Sequence, residues 1–239
     1  MLGERLYAPA LDAYGQMALD EAVLDEAEGE ALLLRFYEWE GGPRDRMHPH
    51  GATFGYFQPY EEAVRGLESR GIAVVFPVAR RSTGGGLVIH DADLTFSLVF
   101  PWSRLASPSL IYKDLHRGIH LGLKAQGLAS RLWSPPTPGK GPMADCFAGP
   151  SPMDLVHEDG TKFLGGALRR RKGLGLYQGS LRPEGFRTTY PILIKAVVDG
   201  LSLEWQTAFP MGEANQELLE KAERLRSERF ATDAWNRKR

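Results

Sequence analysis

The 239-residue sequence has a single cysteine, Cys146, no long apolar run and almost no net charge. One cysteine excludes an internal disulfide and any metal site built from several cysteines. No apolar stretch approaches the roughly 20 residues that a membrane-spanning helix needs, and residues 1–19 lack the apolar core of a signal peptide. The formal net charge of −1 argues against bulk binding to nucleic acid. These absences predict a cytoplasmic protein that binds neither nucleic acid nor a membrane.

Common catalytic motifs are missing as well. The sequence has neither the Gly-x-Ser-x-Gly turn of lipases nor the Gly-x4-Gly-Lys-[Ser/Thr] phosphate loop. Gly173, Gly175 and Gly179 miss the spacing of a dinucleotide-binding turn. His116 and His120 could place two imidazoles on one metal, but no third ligand accompanies them. We therefore predict neither a metal site nor a P-loop or Rossmann nucleotide site.

Apolar periodicity predicts a mixture of helices and strands. Helices are expected at about 12–27, 61–70, 107–126, 190–200 and 213–229, with acidic residues on the outer face of the first. Strands are expected at 32–37, 53–58, 72–78, 87–89, 94–100, 153–157, 162–168 and 174–181, and the segments 87–89 and 94–100 should pair around a turn at 90–93. This order indicates an α+β fold with mixed, largely antiparallel sheets flanked by helices, in a single domain of residues 1–239.

The most informative segment is a run of three glycines that follows two arginines. It reads Arg80-Arg81-Ser82-Thr83-Gly84-Gly85-Gly86-Leu87-Val88-Ile89-His90-Asp91. Three consecutive glycines are costly to order, so a chain that keeps them between two strands needs its backbone to lie close to something. The arginines indicate that this neighbour carries negative charge or carbonyl oxygens.

Three other features each allow a structural and a functional interpretation. Lys162 lies in an otherwise apolar strand, so it either points to water from an edge strand or points inward toward an anionic or carbonyl partner. The basic run 169–172 is either a solvated face or a contact for an acidic partner or a carrier phosphate. Cys146 is either a small buried hydrophobic residue or a nucleophile.

Taken together, these residues resemble the biotin/lipoate protein ligase and lipoyl/octanoyl transferase family. The glycine segment matches the first signature of that family, and Gly160-x-Lys162-x-x-Gly165-x-Ala167 matches the second. The segments 17–22 and 55–58 are similar to its first helix and an early strand. The resemblance implies a class II biotin/lipoate ligase-like catalytic domain in which Lys162 contacts an acyl carbonyl. It also implies a substrate site formed by Arg81, Thr83, Gly84, Gly85, Gly86, His90, Gly165, Gly166 and Ala167.

Two branches of this family differ in their chemistry. Cys146-Phe147-Ala148-Gly149-Pro150-Ser151 is similar to the nucleophile setting of the cysteine-dependent octanoyltransferases, which need no cofactor. Lipoate–protein ligases instead use ATP and Mg²⁺ with lipoate, and they usually need a further accessory domain. The retained third glycine, Gly86, favours the ligase branch, and Gly166 replaces a serine that is usual in the family. An amidotransferase acting between lipoylated proteins and a non-catalytic acyl-binding protein are the remaining alternatives.

In the octanoyltransferase interpretation, Cys146 takes the acyl group from octanoyl-acyl carrier protein as a thioester. A lysine of a lipoyl domain or of the glycine-cleavage H protein then accepts it as an amide. Lys162 would hold the carbonyl and favour the thiolate form of Cys146. Backbone N–H groups near Gly165 and Gly166 could bind the oxyanion, and His90 would order the glycine turn.

Overall fold

The computed structural model describes residues 3–41, 48–102, 107–134 and 149–238. Its largest element is an eight-stranded sheet with the strand order β11-β1-β2-β6-β10-β9-β8-β7. The strands are β1 Gly3–Tyr7, β2 Leu32–Phe36, β6 Leu94–Pro101, β7 Arg131–Leu132, β8 Leu155–Val156, β9 Lys162–Arg171, β10 Leu174–Leu181 and β11 Met211–Glu213. The pairs that β1 makes with β2 and β11 are parallel, and the other pairs are antiparallel. This arrangement confirms the predicted α+β class with a mixed, largely antiparallel sheet.

A second sheet of three strands carries the glycine segment. It consists of β3 Gly51–Phe54, β4 Val78–Arg80 and β5 Val88–His90, in the order β4-β3-β5. The predicted pairing of 87–89 with 94–100 is therefore wrong, because β5 pairs with β3 whereas β6 belongs to the large sheet. The predicted strand at 72–78 is also wrong in extent, since only residues 78–80 pair, and 55–58 form a turn rather than a strand.

Helices cover both faces of the large sheet. They are α1 Ala13–Glu26, α2 Tyr60–Glu68, α3 Pro108–Ala125, α4 Tyr190–Trp205, α5 Gln216–Leu225 and α6 Asp233–Asn236, with a π-helical turn Arg226–Phe230 between the last two. The apolar residues of α3 and α4 pack with Phe96, Leu98 and Tyr177 of the sheet. The α1 helix packs on the other face, together with α5.

The first helix departs from its predicted amphipathic pattern. Residues 15–24 of α1 are all buried, including Asp20 and Glu21, each 1% exposed. The acidic face that should have met solvent instead pairs with arginines of the chain, because Arg35 contacts Asp20 while Arg169 contacts Glu21. The helix thus supplies two buried carboxylates that pair with arginines of the large sheet.

Candidate functional site

A pocket whose empty space, counted together with its opening to solvent, is about 400 Å³ lies where the two sheets and α1 meet. The side chains and backbone that line it are Met17, Tyr37, Thr53, Arg81, Gly85, Val88, His90, Thr95, Gly165, Gly166, Ala167, Gln178, Gly179 and Ser180. The structure therefore brings the two signature segments together, although they are far apart in the chain. Six of the predicted substrate residues face this cavity, namely Arg81, Gly85, His90, Gly165, Gly166 and Ala167. Thr83, Gly84, Gly86 and Lys162 lie beside it rather than in the described lining.

The glycine turn is held by the chain itself. Arg81 donates from Nη2 to the carbonyl oxygens of Gly84 and Gly86, both at 2.8 Å. Gly85 has a φ of +86°, which L side chains rarely adopt, and this explains its glycine. A Cβ on Gly55 would lie 1.8 Å from the Gly85 carbonyl oxygen, so the predicted close approach is to the turn at 55–58. The arginine was expected to face negative charge or carbonyl oxygens, and the carbonyl groups it binds are those of the turn.

Thr83 ties the glycine turn to the large sheet. Its buried hydroxyl donates to Gln178 Oε1 at 2.6 Å. Gln178 in turn donates from Nε2 to Asp20 at 2.6 Å, and Asp20 also accepts from Tyr37 and from Ser97. Burial, followed by the charge of Asp20, raises the pKa of Tyr37 well above its usual value. The cavity wall on this side is a connected hydrogen-bond network that also includes the Arg35–Asp20 pair.

His90 is fixed by a partner on each ring nitrogen. Nε2 lies 2.9 Å from Thr53 Oγ1, and Nδ1 lies 3.0 Å from Asp93 Oδ2. Arg81 also donates to Thr53 Oγ1 at 2.9 Å, so this hydroxyl connects the arginine to the histidine. Burial raises the pKa of Asp93, but the charge of His90 and hydrogen bonds from it and from two hydroxyl groups outweigh burial and lower the pKa to about 2. His90 is thus connected to the glycine turn through Thr53 and Arg81, and its role in ordering that turn stays a prediction.

Lys162 points inward and has an anionic partner. Its Nζ lies 2.8 Å from Asp154 Oδ2, and the two side chains are 5% and 0% exposed. Asp154 also accepts from Tyr112 Oη at 2.5 Å and from the Ser151 amide at 2.7 Å. A Cβ on Gly165 would lie 2.5 Å from Lys162 Cε and Nζ, so this glycine lets the lysine lie across the strand. The ammonium group is thereby held beside the Gly165–Ala167 wall of the cavity.

One of the predicted oxyanion donors is already engaged. The Gly166 N–H donates to Tyr112 Oη at 3.0 Å, and the Tyr112 hydroxyl donates to Asp154 Oδ1. A Cβ on Gly166 would also lie 2.3 Å from Cζ of Tyr177. Gly166 therefore packs closely on Tyr177 and its N–H bonds to Tyr112, a partner of Asp154, so binding of an oxyanion by this N–H stays a prediction that requires Tyr112 to give up the contact.

Several site residues were missed at the sequence level. Thr95, Gln178 and Ser180 face the cavity, and Ser97 lies on the same side of β6. All alternate with apolar residues that pack under α3 and α4. The period-2 polar pattern in two otherwise apolar strands is the signal that could have identified them. Asp154 had no comparable signal, because its role appears only once Lys162 folds back toward it.

The two histidines of α3 have separate partners. His116 is fully buried between the Met153 carbonyl and Tyr177 Oη, at 2.8 and 2.7 Å, and burial lowers its pKa to about 4. His120 contacts Ser130. Within the described part of the chain, no group of three or more His, Cys, Asp or Glu side chains could hold a metal ion.

The basic run of β9 faces acids of α1. Arg169 and Arg171 contact the two carboxylate oxygens of Glu21, at 2.5 and 3.0 Å, and Arg171 also pairs with Asp25. Arg170 lies over the Trp102 ring. The acidic partner of this run thus includes the first helix of the chain itself.

The predicted nucleophile, Cys146, lies outside the described residues. The described chain resumes at Gly149, and the Ser151 amide is anchored on Asp154. The segment that follows the cysteine is therefore joined to the residue that holds Lys162. Separately, no helix within the described ranges is long and apolar enough to cross a membrane.

The two sheets and the cavity between them define the class of domain found in lipoate protein ligases. A structure of lipoate-protein ligase A bound with ATP superimposes with a TM-score of 0.77 at 22% identity, over 99% of this chain and 98% of that one. The bi-partite lipoate protein ligase of Thermoplasma acidophilum gives 0.75 at 22% identity, over 99% and 96%. At these identities the likeness shows the fold alone.

Sequence comparison assigns the family. The model of the lipoyl protein ligase A/B catalytic domain matches residues 12–186, and the chain belongs to this family. Curated relatives include octanoyltransferase LipM of Staphylococcus aureus, 34% identical over 71% of this chain and 62% of the relative. Octanoyltransferase LipM of Geobacillus kaustophilus is 35% identical over 69% of this chain and 59% of the relative. The chain thus spans about three fifths of the length of these relatives.

Proposed function

We propose that this chain is an octanoyltransferase of lipoate assembly that works through a covalent acyl-enzyme. The observation that carries the proposal is the Lys162 ammonium held by Asp154 beside the cavity wall Gly165–Ala167. A buried cation next to a largely apolar pocket is suited to the carbonyl end of an acyl group. The octanoyltransferase names of the relatives and the sequence around Cys146 support this branch over the ligase branch.

The cavity chemistry fits an acyl chain without polar substituents. Thr53 and His90 bond to one another, Thr95 and Ser180 donate to Asp93, and Tyr37 and Gln178 bond to Asp20. These polar groups are therefore satisfied within the protein, and what they offer the interior of the cavity is mainly their carbon atoms. An alkyl chain fills such a space without leaving a buried donor or acceptor unpaired.

The proposed reaction has two acyl-transfer steps. The Cys146 thiolate attacks the thioester carbonyl of octanoyl-acyl carrier protein, the bond to the carrier sulfur breaks, and the carrier leaves as a thiol after taking up a proton. The amine of a target lysine, on a lipoyl domain or the glycine-cleavage H protein, then attacks the enzyme thioester. The amine loses a proton, the C–S bond breaks and the thiolate returns. Lys162 stabilises the negative charge that develops on the carbonyl oxygen in both steps.

This scheme needs no cofactor, because amide formation from a thioester is downhill. As part of this proposal we place the reaction in the cytoplasm. The ligase alternative would need ATP and Mg²⁺ to activate free lipoate, and the two chemistries leave different products on the protein.

An intact-mass measurement tests the proposal. Incubation with octanoyl-acyl carrier protein should add the mass of one octanoyl group, and Cys146→Ser should abolish the adduct. Lys162→Ala should slow adduct formation by about a hundredfold or more, the usual cost of removing one oxyanion-stabilising group. Formation of lipoyl-adenylate from ATP and lipoate, without an adduct, would establish the ligase instead. Transfer only from an octanoylated protein would establish the amidotransferase, and ligand binding without any transfer would establish an acyl-binding protein.

A further inference from the structure

Residues near the C-terminus form hydrogen bonds with Arg80, the first arginine of the glycine signature. We name Phe230, Thr232, Trp235 and Asn236 the C-terminal clasp. They lie beyond residues 12–186 of the family match and beyond both signatures. Yet Asn236 is only 4% exposed and Phe230 is fully buried, so these two clasp side chains belong to the interior.

Arg80 is held by the clasp through both its side chain and its backbone. Its guanidinium donates from Nε to the Trp235 carbonyl at 3.1 Å and from Nη2 to the Asn236 carbonyl at 2.8 Å. Its backbone N–H donates to Asn236 Oδ1 at 2.8 Å, and its carbonyl accepts from Trp235 Nε1 at 2.9 Å. Four hydrogen bonds thus connect two clasp residues to one fully buried residue at the end of β4.

Contacts within the C-terminal segment also hold the clasp residues in place. Asn236 donates from Nδ2 to the carbonyl groups of Phe230 and Thr232, at 2.8 and 2.9 Å. The Trp235 ring has the Arg229 guanidinium 3.7 Å from its centroid and the Lys238 ammonium 3.5 Å from it. Such cation–π contacts and local hydrogen bonds fix the two side chains that reach the arginine.

Further hydrogen bonds connect Arg80 to the cavity wall. The other guanidinium nitrogen of Arg80 donates to the carbonyl groups of Tyr56 and Gln58, at 2.7 and 2.8 Å. The Tyr56 N–H donates to the Thr83 carbonyl at 2.8 Å, and Gly55 packs on Gly85. A shift of Arg80 would therefore move the turn at 55–58 and, with it, the Gly85 wall.

We infer that Trp235 and Asn236 are positioning residues for the acyl cavity, acting through Arg80 and the glycine turn. The inference is independent of the acyl group's identity and goes beyond the proposed reaction. It predicts that weakening the clasp loosens residues 82–86 and weakens binding of the acyl donor, while the chemical step and the large sheet remain intact.

Trp235→Phe is the sharpest variant, because it removes the Nε1 donor and keeps an aromatic ring. The matched control is Trp205→Phe, which makes the same change at the end of α4, where Trp205 packs on Phe100 away from the cavity. Hydrogen exchange of the amides in 82–86 should rise about tenfold in Trp235→Phe, the size expected for one buried hydrogen bond, with β6 and β10 unchanged. The control should leave the exchange of 82–86 at the wild-type level.

Steady-state kinetics provide a second test, because a residue with a purely structural role would not change KM selectively. The KM for octanoyl-acyl carrier protein should rise about tenfold in Trp235→Phe with kcat nearly unchanged, since the lost interaction serves binding. Asn236→Ala should act in the same direction and more strongly, and if that variant fails to fold, Trp235→Phe still decides the question. Exchange at 82–86 that matches the Trp205→Phe control, or an unchanged KM with faster exchange, would overturn the inference. If the wild type transfers no acyl group, the proposed function fails, and the exchange measurement alone decides the role of the clasp.

Discussion

Lys162 is the residue whose position depends most on its neighbours. A buried ammonium group needs a counter-charge, and Asp154, fully buried itself, supplies it at 2.8 Å. Asp154 is in turn held by Tyr112 Oη and the Ser151 amide. Buried ion pairs often add little to net stability. The importance of this pair is that it fixes the position of the Lys162 ammonium group.

Replacing Asp154 with asparagine tests that positioning. Asp154→Asn keeps the shape of the side chain but leaves the Lys162 ammonium without its counter-charge. The free energy of unfolding should fall by about 3 kcal/mol, as when one partner of a buried pair is removed. The rate of octanoyl-adduct formation should fall about a hundredfold, because a displacement of about 1 Å has that effect in active sites. Urea unfolding and time-resolved intact mass measure the two quantities.

Asp159→Asn is the control for this prediction. Asp159 lies in the turn before β9 and accepts a hydrogen bond from the Thr161 amide at 2.8 Å, but its side chain is exposed. The same chemical change there should leave adduct formation near the wild-type rate. Full activity of Asp154→Asn, or an equal loss in Asp159→Asn, would contradict the role given to Asp154.

Lys162 shows which contacts of a single residue the sequence could predict and which it could not. The apolar surroundings of Lys162 required an anion or carbonyl if the side chain pointed inward, and the structure bears this out. The identity of Asp154 could not be predicted, since it depends on the pairing of β8 with β9. The arginines were predicted to meet carbonyl oxygens or anions, but the origin of those carbonyl groups within the same chain depends on long-range packing.

At the scale of elements, the turn between β4 and β5 forms one wall of the cavity. It is fixed by Arg81 from within, by Gln178 across the cavity and by Gly55 from behind. Its three glycines are not equivalent. Gly85 has the positive φ and faces the cavity, whereas a Cβ on Gly84 would meet no atom within 4 Å.

A pair of glycine-to-alanine changes separates these contributions. Gly55→Ala would place a Cβ 1.8 Å from the Gly85 carbonyl oxygen, so the backbone of one of the two turns must shift. We expect a loss of about 2–3 kcal/mol in the free energy of unfolding, as for other overpacked sites, and a strong loss of octanoyl-adduct formation. Gly84→Ala should have wild-type stability in the same urea titration. Equal stability of the two variants would show that the turns are not held in the described contact.

The His116 contact joins α3 to β10 at the back of the site. Because burial lowers the pKa of His116 to about 4, its ring is neutral near pH 7; with Nδ1 donating to the Met153 carbonyl, Nε2 then accepts from Tyr177 Oη. Tyr177 packs directly against Gly166. A charge on His116 would therefore disturb the contact that supports the cavity strand from behind.

The stability of the protein should depend on this histidine between about pH 6.5 and pH 4. Burial lowers the pKa of His116 to about 4 in the folded chain, so the unfolded chain binds the proton first as the pH falls. This contribution is complete above the unfolded pKa and is lost progressively on acidification, by up to roughly 3 kcal/mol. Urea unfolding at several pH values should show a flatter profile for His116→Gln than for the wild type. Parallel profiles would exclude His116 as the group responsible.

Sequence periodicity located several helices and strands correctly but did not predict which strands pair. The strand at 174–181 and the helix that begins after Ser107 were predicted well, because their patterns are long and their boundaries carry clear signals. The supposed hairpin of 87–89 and 94–100 was wrong, because both segments are genuine strands with other partners. Local alternation identifies a strand but does not specify its partner strand.

At the scale of the whole molecule, the cavity exists only because the two sheets and α1 meet. Thr53 and His90 come from the small sheet, Thr95, Gln178 and Ser180 from the large one, and Met17 from the helix. The sequence could predict that the two signatures meet, through the family resemblance, but not that a buried carboxylate stands behind each polar part of the wall. Asp20 and Asp93 take those places, and they accept the hydrogen bonds that would otherwise be available to a ligand.

If the proposed octanoyl transfer is correct, this wall should select plain acyl chains over hydroxylated ones. A hydroxyl on the chain would lose its water and find the wall groups already bonded, at a cost of about 1–3 kcal/mol. We expect kcat/KM for 3-hydroxyoctanoyl-acyl carrier protein to be about 10- to 100-fold below that for the octanoyl substrate, since pockets of this kind reject a hydroxyl only moderately.

Thr83→Val provides the matched test of this selectivity. Valine has nearly the shape of threonine but cannot donate to Gln178 Oε1, so that acceptor becomes available in the wall of the cavity. A hydroxylated chain then gains a partner that the octanoyl chain cannot use. The ratio of the two kcat/KM values, measured by competition with both carriers present, should therefore move toward one in Thr83→Val. If the wild type transfers both chains equally, the wall offers a partner to the hydroxyl. If the ratio is unchanged in the variant, the hydrogen bond from Thr83 to Gln178 Oε1 is not the source of the selectivity.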